Sequence, residues 1–483
     1  MIRRTKLNIL RKHFIFNFFK KIIGVTPLPE VAQPAEITPQ PEATAARIYS
    51  RSEHSISRRQ ISEHALKVLY QLKKSGYDSY LVGGCVRDLL LGREPKDFDV
   101  VTDATPDQIK KIFRNCRLIG RRFRLAHIYF GREYIEVATF RKVADSDDDE
   151  QQTCANGQLL RDNIYGTIEE DVWRRDFTVN SLYYNIRDFS VVDYTGGMLD
   201  HQAGVIKLIG DPVTRYREDP VRMLRAVRFA VKLGFTLAPE THKPLQEMAH
   251  LLNAIPSARL YEEFLKLFMS GYGLQTFEML RHYDLFGALF PAVERNLAQE
   301  EQGFPKLFIA KALENSDERV ANGLPVTPYF LLSVLLWGAV QDLSKQKIAQ
   351  GLPATPAQQM AASEIITEQV RRLAFPKFMG IAMRDVWYLQ SRFARRTGTR
   401  PHKLMTHPRF KAAFDFLALR ADVGDADPAL VQWWRQFQSA EDTVQTEMTK
   451  PGATSKDAPK RRFRNKNYRN KSKNTRAANT KHD

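Results

Sequence analysis

The fold is decided by Leu81-Val82-Gly83-Gly84-Cys85-Val86-Arg87-Asp88 and, shortly after it, Lys96-Asp97-Phe98-Asp99-Val100-Val101. A β-rich run leads into the two glycines, where backbone can come close to a phosphate, and a short helix over residues 86–91 is predicted to end at Gly92. Asp97 and Asp99 stand two apart in a second β-like run, which places both carboxylates on one face, roughly 7 Å apart. Such a pair can hold two Mg²⁺ ions that stabilise the attacking and leaving oxygens of a phosphoryl displacement.

The two halves of this pattern are weak signals alone and specific together. A Gly-Gly pair after a strand is usually a turn, and a D-x-D pair is usually a solvated loop or a helix cap. The segment between them, residues 87–92, is too short for a dinucleotide-binding unit. No G-x-x-x-x-G-K-[ST] loop occurs in the sequence, which argues against a P-loop ATPase.

Three further segments follow in a fixed order: Arg174-Arg175-Asp176-Phe177-Thr178-Val179-Asn180, Asp193-Tyr194-Thr195-Gly196-Gly197 and Glu218-Asp219-Pro220-Val221-Arg222-Met223-Leu224-Arg225-Ala226-Val227-Arg228-Phe229-Ala230. Together with the first two stretches they resemble the class II nucleotidyltransferases, the superfamily of bacterial poly(A) polymerases and tRNA CCA-adding enzymes. The resemblance spans roughly residues 60 to 270. It implies transfer of a nucleotide from ATP to an RNA 3′ end, with Mg²⁺ as cofactor.

The resemblance also implies roles for particular residues. Asp97, Asp99 and Asp176 become catalytic residues, with the metal held by the first two, and the nucleotide-binding residues become Gly83, Gly84, Arg87, Arg175, Asp219, Arg222 and Arg225. In the superfamily, Arg175 and Asp176 take sugar or base contacts, and the Asp219–Arg222 pair imitates base pairing. Read from the sequence alone, the second pair is equally an ion pair within a helix running from Pro220 to Gly234, and the run 169–171 before Arg175 marks a helix start.

Glu136 is a further catalytic candidate. Residues 125–130 and 134–140 alternate around Gly131 and predict a hairpin, in which Glu136 points away from its apolar neighbours Ile135 and Val137. Its carboxylate is either plainly solvent-exposed or completes the site beside the two aspartates. Before the hairpin, Thr105-Pro106-Asp107-Gln108 is a capping-box start and predicts a helix of about ten residues.

A chain of 483 residues with 43% hydrophobic content can bury a large core, and its length indicates two to four domains. The resemblance implies an α+β protein. The N-terminal head combines a small mixed β-sheet with flanking helices, and an all-α neck, body and RNA-binding region follows. The expected ranges are a basic amphipathic segment (1–25), a Pro-rich linker (26–55), the head (56–205), the helical neck (206–272), the helical body (273–440) and a disordered basic tail (441–483).

The net charge of +18 indicates a polyanionic partner. Residues 451–483 carry eleven Lys or Arg against two Asp, half of the net charge, interleaved with Phe463 and Tyr468. This mixture suits single-stranded RNA, and the RNA-binding candidates are Arg461, Arg462, Arg464, Lys466 and Arg469. The alternative is a tail that only increases solubility.

Residues 1–25 contain seven Lys or Arg, no acidic residue and one apolar helical face. The segment is typical of a peripheral membrane-surface helix, here at the inner face of the membrane, and equally of a second RNA contact or a start placed upstream of the true one. The three cysteines show neither a disulfide framework nor a zinc pattern, which fits a reducing cytoplasm. The longest apolar stretch, residues 329–340, predicts a buried helix rather than a membrane span.

These observations favour template-independent polyadenylation, in which AMP passes from ATP to an RNA 3′-hydroxyl and pyrophosphate leaves, promoting RNA decay. Residues 120–128, residues 55–70 and the basic tail resemble the polymerase branch. We expect a monomer whose partners are RNA 3′ ends, ATP and RNA-decay proteins. The alternatives are a tRNA CCA-adding enzyme and a non-catalytic RNA-binding protein on the same scaffold.

Overall fold

A computed structural model describes residues 46–120, 124–142, 164–298 and 306–450 of the chain. The amphipathic segment 1–25 and the RNA-binding candidates between Arg461 and Arg469 lie outside the described residues. The α+β prediction is confirmed: one large mixed sheet is followed by helices as far as residue 448.

The head is built on an eight-stranded sheet with the strand order β1-β8-β7-β2-β3-β6-β5-β4. β3 and β6 run parallel, whereas β2 pairs antiparallel with β3 and β7, and β5 pairs antiparallel with β4 and β6. The strands of this sheet are β1 (Arg47–Tyr49), β2 (Ser79–Val82), β3 (Asp99–Thr102), β4 (Cys116–Ile119), β5 (Leu125–Phe130), β6 (Glu133–Thr139), β7 (Tyr183–Asn185) and β8 (Val191–Asp193). A separate parallel pair joins β9 (Val205–Ile206) and β10 (Thr236–Leu237).

Among the head helices in the described ranges, three begin at a Ser or Thr side-chain cap. The head helices are α1 (Glu63–Lys74), α2 (Gly84–Leu90), α3 (Pro106–Ile112), α4 (Ile168–Trp173) and α5 (Gly197–Ala203), with 3-10 turns at Arg51–Glu53, Arg58–Gln60 and Thr178–Asn180. α1 starts at Ser62, whose hydroxyl accepts the Ala65 N–H, and packs Val68 and Leu69 into a core that includes Ile135 and Val137 of β6.

Several local predictions are confirmed with shifted bounds. The predicted hairpin is β5–β6, with Gly131 in the left-handed region (φ 65°) at its turn. The Thr105 capping box is present, although its helix, α3, ends at Ile112, earlier than predicted. α2 begins at Gly84 rather than at residue 86, and Gly92 follows it with φ 67°, as a C-terminal glycine should.

The Asp193–Gly197 motif has a structural role in the sheet-to-helix connection. The buried Asp193 carboxylate accepts hydrogen bonds from the N–H groups of Thr195, Gly197 and Met198 at 2.9–3.0 Å. A Cβ atom on Gly197 would lie 2.2 Å from the Thr178 carbonyl oxygen, so only glycine allows this approach. The motif therefore fixes the segment that carries Asp176 and Asn180.

The remaining helices form the neck and body. They are α6 (Pro212–Glu218), α7 (Val221–Leu233), α8 (Pro239–His242), α9 (Leu245–Met248), α10 (Ser257–Phe268), α11 (Gly273–His282), α12 (Phe286–Leu289), α13 (Pro291–Ala298), α14 (Lys306–Ala321), α15 (Pro328–Ala349), α16 (Ala354–Arg372), α17 (Lys377–Phe393), α18 (Arg400–Met405), α19 (Phe410–Asp422), α20 (Pro428–Ser439) and α21 (Asp442–Met448), with a 3-10 turn at Ala249–Ala254.

Two of the expected domain ranges need correction. β1 falls inside the range 26–55 that was expected to be linker, and α21 falls inside the range 441–483 that was expected to be disordered tail. In both places the chain buries side chains, Tyr49 in the head core and Gln445 beneath α20, where Gln445 Nε2 donates to the Phe437 carbonyl. The amino-acid composition of these ranges does not reveal that one residue in each of them is buried.

The body core is continuous with the neck. The apolar stretch 329–340 lies in α15, where residues 331–340 are all buried, so the predicted buried helix is confirmed. None of the helices in the described ranges is long and apolar enough to cross a membrane.

Replacing Gly197 with Ala should lower the free energy of unfolding by about 3 kcal/mol, because the new methyl group overlaps a backbone carbonyl that cannot move independently. Gly131→Ala is the matched control. It has open space around its Cβ and should cost only about 1 to 2 kcal/mol from its left-handed backbone. Thermal unfolding of the two variants checks the order, and an equal loss would contradict the close approach at Gly197.

Candidate active site

An arginine-rich cavity of about 690 Å³ lies where the β2–α2 turn, the segment after α4 and the start of α7 come together. We call it the arginine cavity. It is lined by nine cationic and five carboxylate side chains, a surplus of four positive charges. The lining residues are Gly83, Gly84, Arg87, Asp99, Arg141, Asp171, Arg174, Arg175, Asp176, Asn180, Glu218, Asp219, Arg222, Arg225, Arg228, Phe229, Arg259 and Lys266.

Gly83 and Gly84 form part of the wall, as the sequence predicted. Gly83 has φ 75°, a conformation that favours glycine, and a Cβ atom there would stand 3.8 Å from Arg175 Nη1. Arg87 is buried. Its Nη1 donates to Asn180 Oδ1 at 2.7 Å, while Nε and Nη2 donate to Asp88 Oδ1. Arg87 therefore faces the cavity with much of its hydrogen-bonding capacity already used to brace α2.

A buried carboxylate, Asp171, organises the arginines. Its Oδ2 accepts from Arg175 Nε at 3.0 Å and Nη2 at 2.8 Å, and also from the Tyr183 hydroxyl at 2.8 Å. Its Oδ1 accepts the Arg141 backbone N–H at 3.3 Å and lies 3.9 Å from Arg174 Nη1. The sequence analysis counted Asp171 only as part of an acidic helix start. The signal it missed is the i, i+4 spacing from Asp171 to Arg175.

The arginines around Asp171 are buried and lie close to one another. Burial, together with the neighbouring cations Arg141, Arg175 and Arg222, lowers the pKa of Arg174 well below its ordinary value. Burial also lowers the pKa of Arg141, with Arg175 adding to the effect against the attraction of Asp171. A guanidinium stays protonated in proteins, so the lowered pKa values indicate cations that are buried and crowded by like charge.

Asp176 is held at the junction of head and neck. Its Oδ2 accepts from Arg225 Nε at 2.6 Å, and its Oδ1 accepts from the Phe177 N–H and from Asn180 Nδ2. Burial opposes ionisation, yet the Arg225 charge and these hydrogen bonds lower the pKa of Asp176. The structure thus brings together two predicted residues, Asp176 and Arg225, and adds Asn180, which also accepts from Arg87.

Asp219 and Arg222 both line the cavity but do not pair with each other, so the predicted alternative of an ion pair within the helix is wrong. Asp219 precedes α7, and its Oδ2 accepts from Arg259 Nη2 at 2.7 Å. Arg222 is buried, and its Nη1 donates to Glu218 Oε2 at 2.9 Å and to the Arg215 carbonyl at 2.8 Å. Asp219 is therefore oriented by Arg259, and Arg222 by Glu218; neither orienting residue was among the predicted site residues.

The three other predicted carboxylates, Asp97, Asp99 and Glu136, lie at or beside the N-terminal end of β3. Asp99 is the first residue of β3 and is paired in register with Glu136 of β6, and both line a second cavity of about 180 Å³. Asp97 is exposed, precedes the strand and is in the lining of neither cavity. Partial burial, and then the negative charges of Glu136 and Asp97, raise the pKa of Asp99 to about 6, against the effect of Arg175.

Within the described ranges, no group of three or more His, Cys, Asp or Glu side chains is arranged to hold a metal ion by itself. Glu136 is half-buried, and its Oε2 lies 3.3 Å from His127 Nε2. The available donors at this end of β3 are therefore the oxygens of Asp97 and Asp99, with Glu136 beside them.

Three family models match the chain. "Poly A polymerase head domain" matches residues 79–207, "Probable RNA and SrmB- binding site of polymerase A" matches residues 234–297, and "Polymerase A arginine-rich C-terminus" matches residues 350–469.

Relatives cover most of the chain. It is 50% identical over 432 residues to Poly(A) polymerase I of Salmonella typhi, covering 88% of this chain and 91% of that protein. The CCA-adding enzyme of Bacillus pumilus is 32% identical over 279 residues, or 57% of this chain and 62% of that protein. The crystal structure of Bacillus stearothermophilus CCA-adding enzyme with CTP has a TM-score of 0.52 at 25% identity, covering 77% of this chain and 81% of that one.

Asp99→Asn should stabilise the folded protein at pH 7.5. A carboxylate whose pKa is raised by folding, here from 3.8 to about 6, destabilises the fold fully above pH 6, and this cost disappears as the pH falls toward 3.8. Because Asp99 is partly exposed, screening limits the gain to roughly 1 kcal/mol.

The measurement is the thermal unfolding midpoint of both proteins at pH 7.5 and pH 5, with the larger difference expected at pH 7.5. A variant that is less stable than the parent at pH 7.5 would contradict the electrostatic strain at Asp99.

Proposed function

Because the chain belongs to the poly(A) polymerase family, we propose that its arginine cavity is the ATP site of a polyadenylating enzyme. The protein is a nucleotidyltransferase that adds AMP from ATP to RNA 3′ ends without a template. The finer assignments, of residues to metal, triphosphate and base, are part of this proposal and are supported by the charges and contacts described above.

The charge of the arginine cavity carries the proposal. Nine cations face five carboxylates in an enclosure of about 690 Å³, and the surplus of four positive charges balances a nucleoside triphosphate. Asp171 lies among Arg141, Arg174 and Arg175, in a cavity where cationic side chains outnumber carboxylates, so this part of the cavity favours an incoming anion. Arg175 presents Nη1 toward Gly83 while Asp171 and Tyr183 fix its other nitrogens.

The carboxylates at the N-terminal end of β3 are suited to binding a divalent cation. Burial, and then the charges of Glu136 and Asp97, disfavour the ionised form of Asp99, and a bound cation would reduce this cost. Mg²⁺ is commonly held by one or two carboxylates, with substrate phosphates and waters completing its coordination, so Asp97 and Asp99 suffice as the protein donors. When bound, the metal supplies charge stabilisation for the attacking and leaving oxygens. Glu136 remains a proposed third acid, held by His127.

The base-reading residues are proposed to be Asp219 and Arg222, with Arg225 beside them. Glu218 and the Arg215 carbonyl hold one nitrogen of Arg222, and Arg259 holds one oxygen of Asp219. The other oxygen of Asp219 accepts the Val221 N–H at 3.2 Å. Both side chains are thereby held in a fixed arrangement, which favours one base edge over others. Asp176 is oriented by Arg225 and Asn180 for contact with the nucleotide.

RNA contacts beyond the site remain proposals. The "arginine-rich C-terminus" model spans the basic run from Arg461 to Arg469, which supports its assignment to RNA binding. The membrane contact of residues 1–25, the RNA-decay partners and the monomeric state stay predictions.

Asp97→Ala and Asp99→Ala should each reduce AMP incorporation by at least about a hundredfold, because each removes a charged oxygen donor for the metal. RNA affinity should change little, since phosphate contacts come from cationic side chains. Asp107→Ala is the matched control: it removes an exposed carboxylate from α3 and should retain activity.

Extension of a labelled oligoribonucleotide and its equilibrium binding are the two measurements. Substantial extension by both variants would refute the assignment of the carboxylates.

Product length and base choice separate polyadenylation from CCA addition. If Asp219 and Arg222 recognise the base in a fixed arrangement, the expected products are long oligo(A) tails made from ATP on generic RNA ends, with little use of CTP. Arg222→Ala should remove donors from the base edge and reduce the preference for ATP over CTP by about 1 to 3 kcal/mol in kcat/KM.

Each nucleoside triphosphate is tested separately on an oligoribonucleotide ending in A and on a tRNA that lacks its CCA end. Addition limited to two C and one A on the tRNA would support CCA addition, and no addition to either RNA would favour a non-catalytic RNA-binding protein.

A further inference from the structure

A row of polar side chains crosses the sheet from β3 to its outermost strand. Asp99 is paired with Glu136 on β6, Glu136 with His127 on β5, and His127 with Arg117 on β4. Directly paired residues point to the same face of a sheet, so all four lie on the face that carries Asp99. The opposite face, which includes Ile135 and Val137, is buried in the head core.

Three aromatic side chains, His127, Tyr129 and Tyr134, stand on the same face and form what we call the aromatic platform. The rings of His127 and Tyr134 are stacked, with centroids 4.2 Å apart and planes 8° apart. Tyr129 packs against both at 6.4 and 5.7 Å. Tyr134 is 50% exposed, so a ring already supported from one side offers apolar surface to solvent.

The platform and the arginine cavity lie at different places along the sheet: the cavity lining reaches the β6 side at Arg141, beyond the C-terminal end of that strand, whereas Tyr134 lies near its N-terminal end. In the strand order, β3 stands between β2, which leads into Gly83 of the cavity, and β6, which carries Tyr134. Among the described residues, the cavity lining includes Asp99 but no member of the platform.

The chemistry requires the two substrates to arrive from opposite sides. In phosphoryl transfer the attacking and leaving oxygens lie roughly in line. If the triphosphate occupies the arginine cavity, pyrophosphate leaves toward that cavity and the RNA 3′-hydroxyl must approach from the β6 side. Asp99 pairs with Glu136 on the neighbouring strand β6, and Tyr134 stands two residues before Glu136. Standard sheet spacings place the Cα atoms of Asp99 and Tyr134 ~8 Å apart. That span is within the reach of one nucleotide.

We propose that the aromatic platform binds the RNA 3′ end, with the terminal base stacked on Tyr134; this inference rests on the proposed ATP site. Aromatic stacking is tolerant of base identity, which suits an enzyme that extends many RNA ends. The exposed Arg117, whose guanidinium lies 5.2 Å from the centre of the Tyr129 ring, is positioned for a backbone phosphate. After each addition the new terminal adenine takes the same place, so one platform serves every cycle.

The test uses Tyr134→Leu, which removes the ring but keeps apolar bulk, and Tyr134→Phe, which keeps the ring. Tyr70→Leu is the matched control, because Tyr70 is also exposed but lies on α1, which packs against the opposite face of the sheet. In the full chain, we would measure the Kd of a short oligoadenylate and of the same RNA with an abasic 3′-terminal nucleotide. The KM for ATP at saturating RNA is measured alongside.

Tyr134→Leu should raise the Kd of the intact RNA about tenfold, while its KM for ATP stays within about twofold of the parent value. Tyr134→Phe should bind the RNA about as tightly as the parent. The abasic end should cost the parent about the same factor and cost Tyr134→Leu nothing more, since both changes remove one contact. Additive losses, an unchanged Kd for Tyr134→Leu, or an effect on KM for ATP instead of RNA would each overturn the proposal. Because RNA binding is measured without turnover, failure of the platform is distinguishable from failure of the ATP site.

Discussion

The site depends on one buried carboxylate set among several guanidinium groups. Asp171 anchors Arg175 and contacts the main chain of Arg141, and the Tyr183 hydroxyl closes the network from β7. The cavity as a whole sets nine cationic side chains against five carboxylates, so the folded protein keeps a positive potential in a confined, partly desolvated space. The same balance is reversed a short distance away, where Asp99, Glu136 and Asp97 concentrate negative charge. The proposed nucleoside triphosphate and its cation would satisfy both imbalances at once.

The packing of α7 in the neck core positions three arginines along the arginine cavity. Its apolar residues, such as Leu224 and Val227, lie in the neck core, while Arg222, Arg225 and Arg228 follow one another at three-residue spacing along the cavity. Because the apolar face is fully packed, the three arginines have little freedom to move as a group. The core of the neck therefore sets the position of the proposed base-reading residues relative to the head.

Much of this architecture was predictable from the sequence, for reasons that are local. The β5–β6 hairpin, the capping box of α3 and the buried stretch in α15 all follow from periodicity or from short-range hydrogen bonds. The partners of charged groups were not predictable in this way. Arg259 reaches Asp219 from forty positions further along the chain, and Asn180 reaches Arg87 across the head, so only the tertiary fold brings them together. Asp97 also departs from the simple strand pattern, since β3 begins only at Asp99.

The parallel pairing of β3 with β6 has a consequence for how the enzyme is made. Parallel neighbours cannot be joined by a tight turn, and here α3, β4 and β5 intervene before β6 can close on β3. The arginine cavity is completed later still, because its lining runs from Gly83 to Lys266. During synthesis on the ribosome, the nascent head must therefore wait for the neck to emerge before it can hold a nucleotide. A chain that ended between Asp193 and Glu218 would contain every strand of the large sheet and its carboxylates but would lack the part of the cavity wall that the neck contributes.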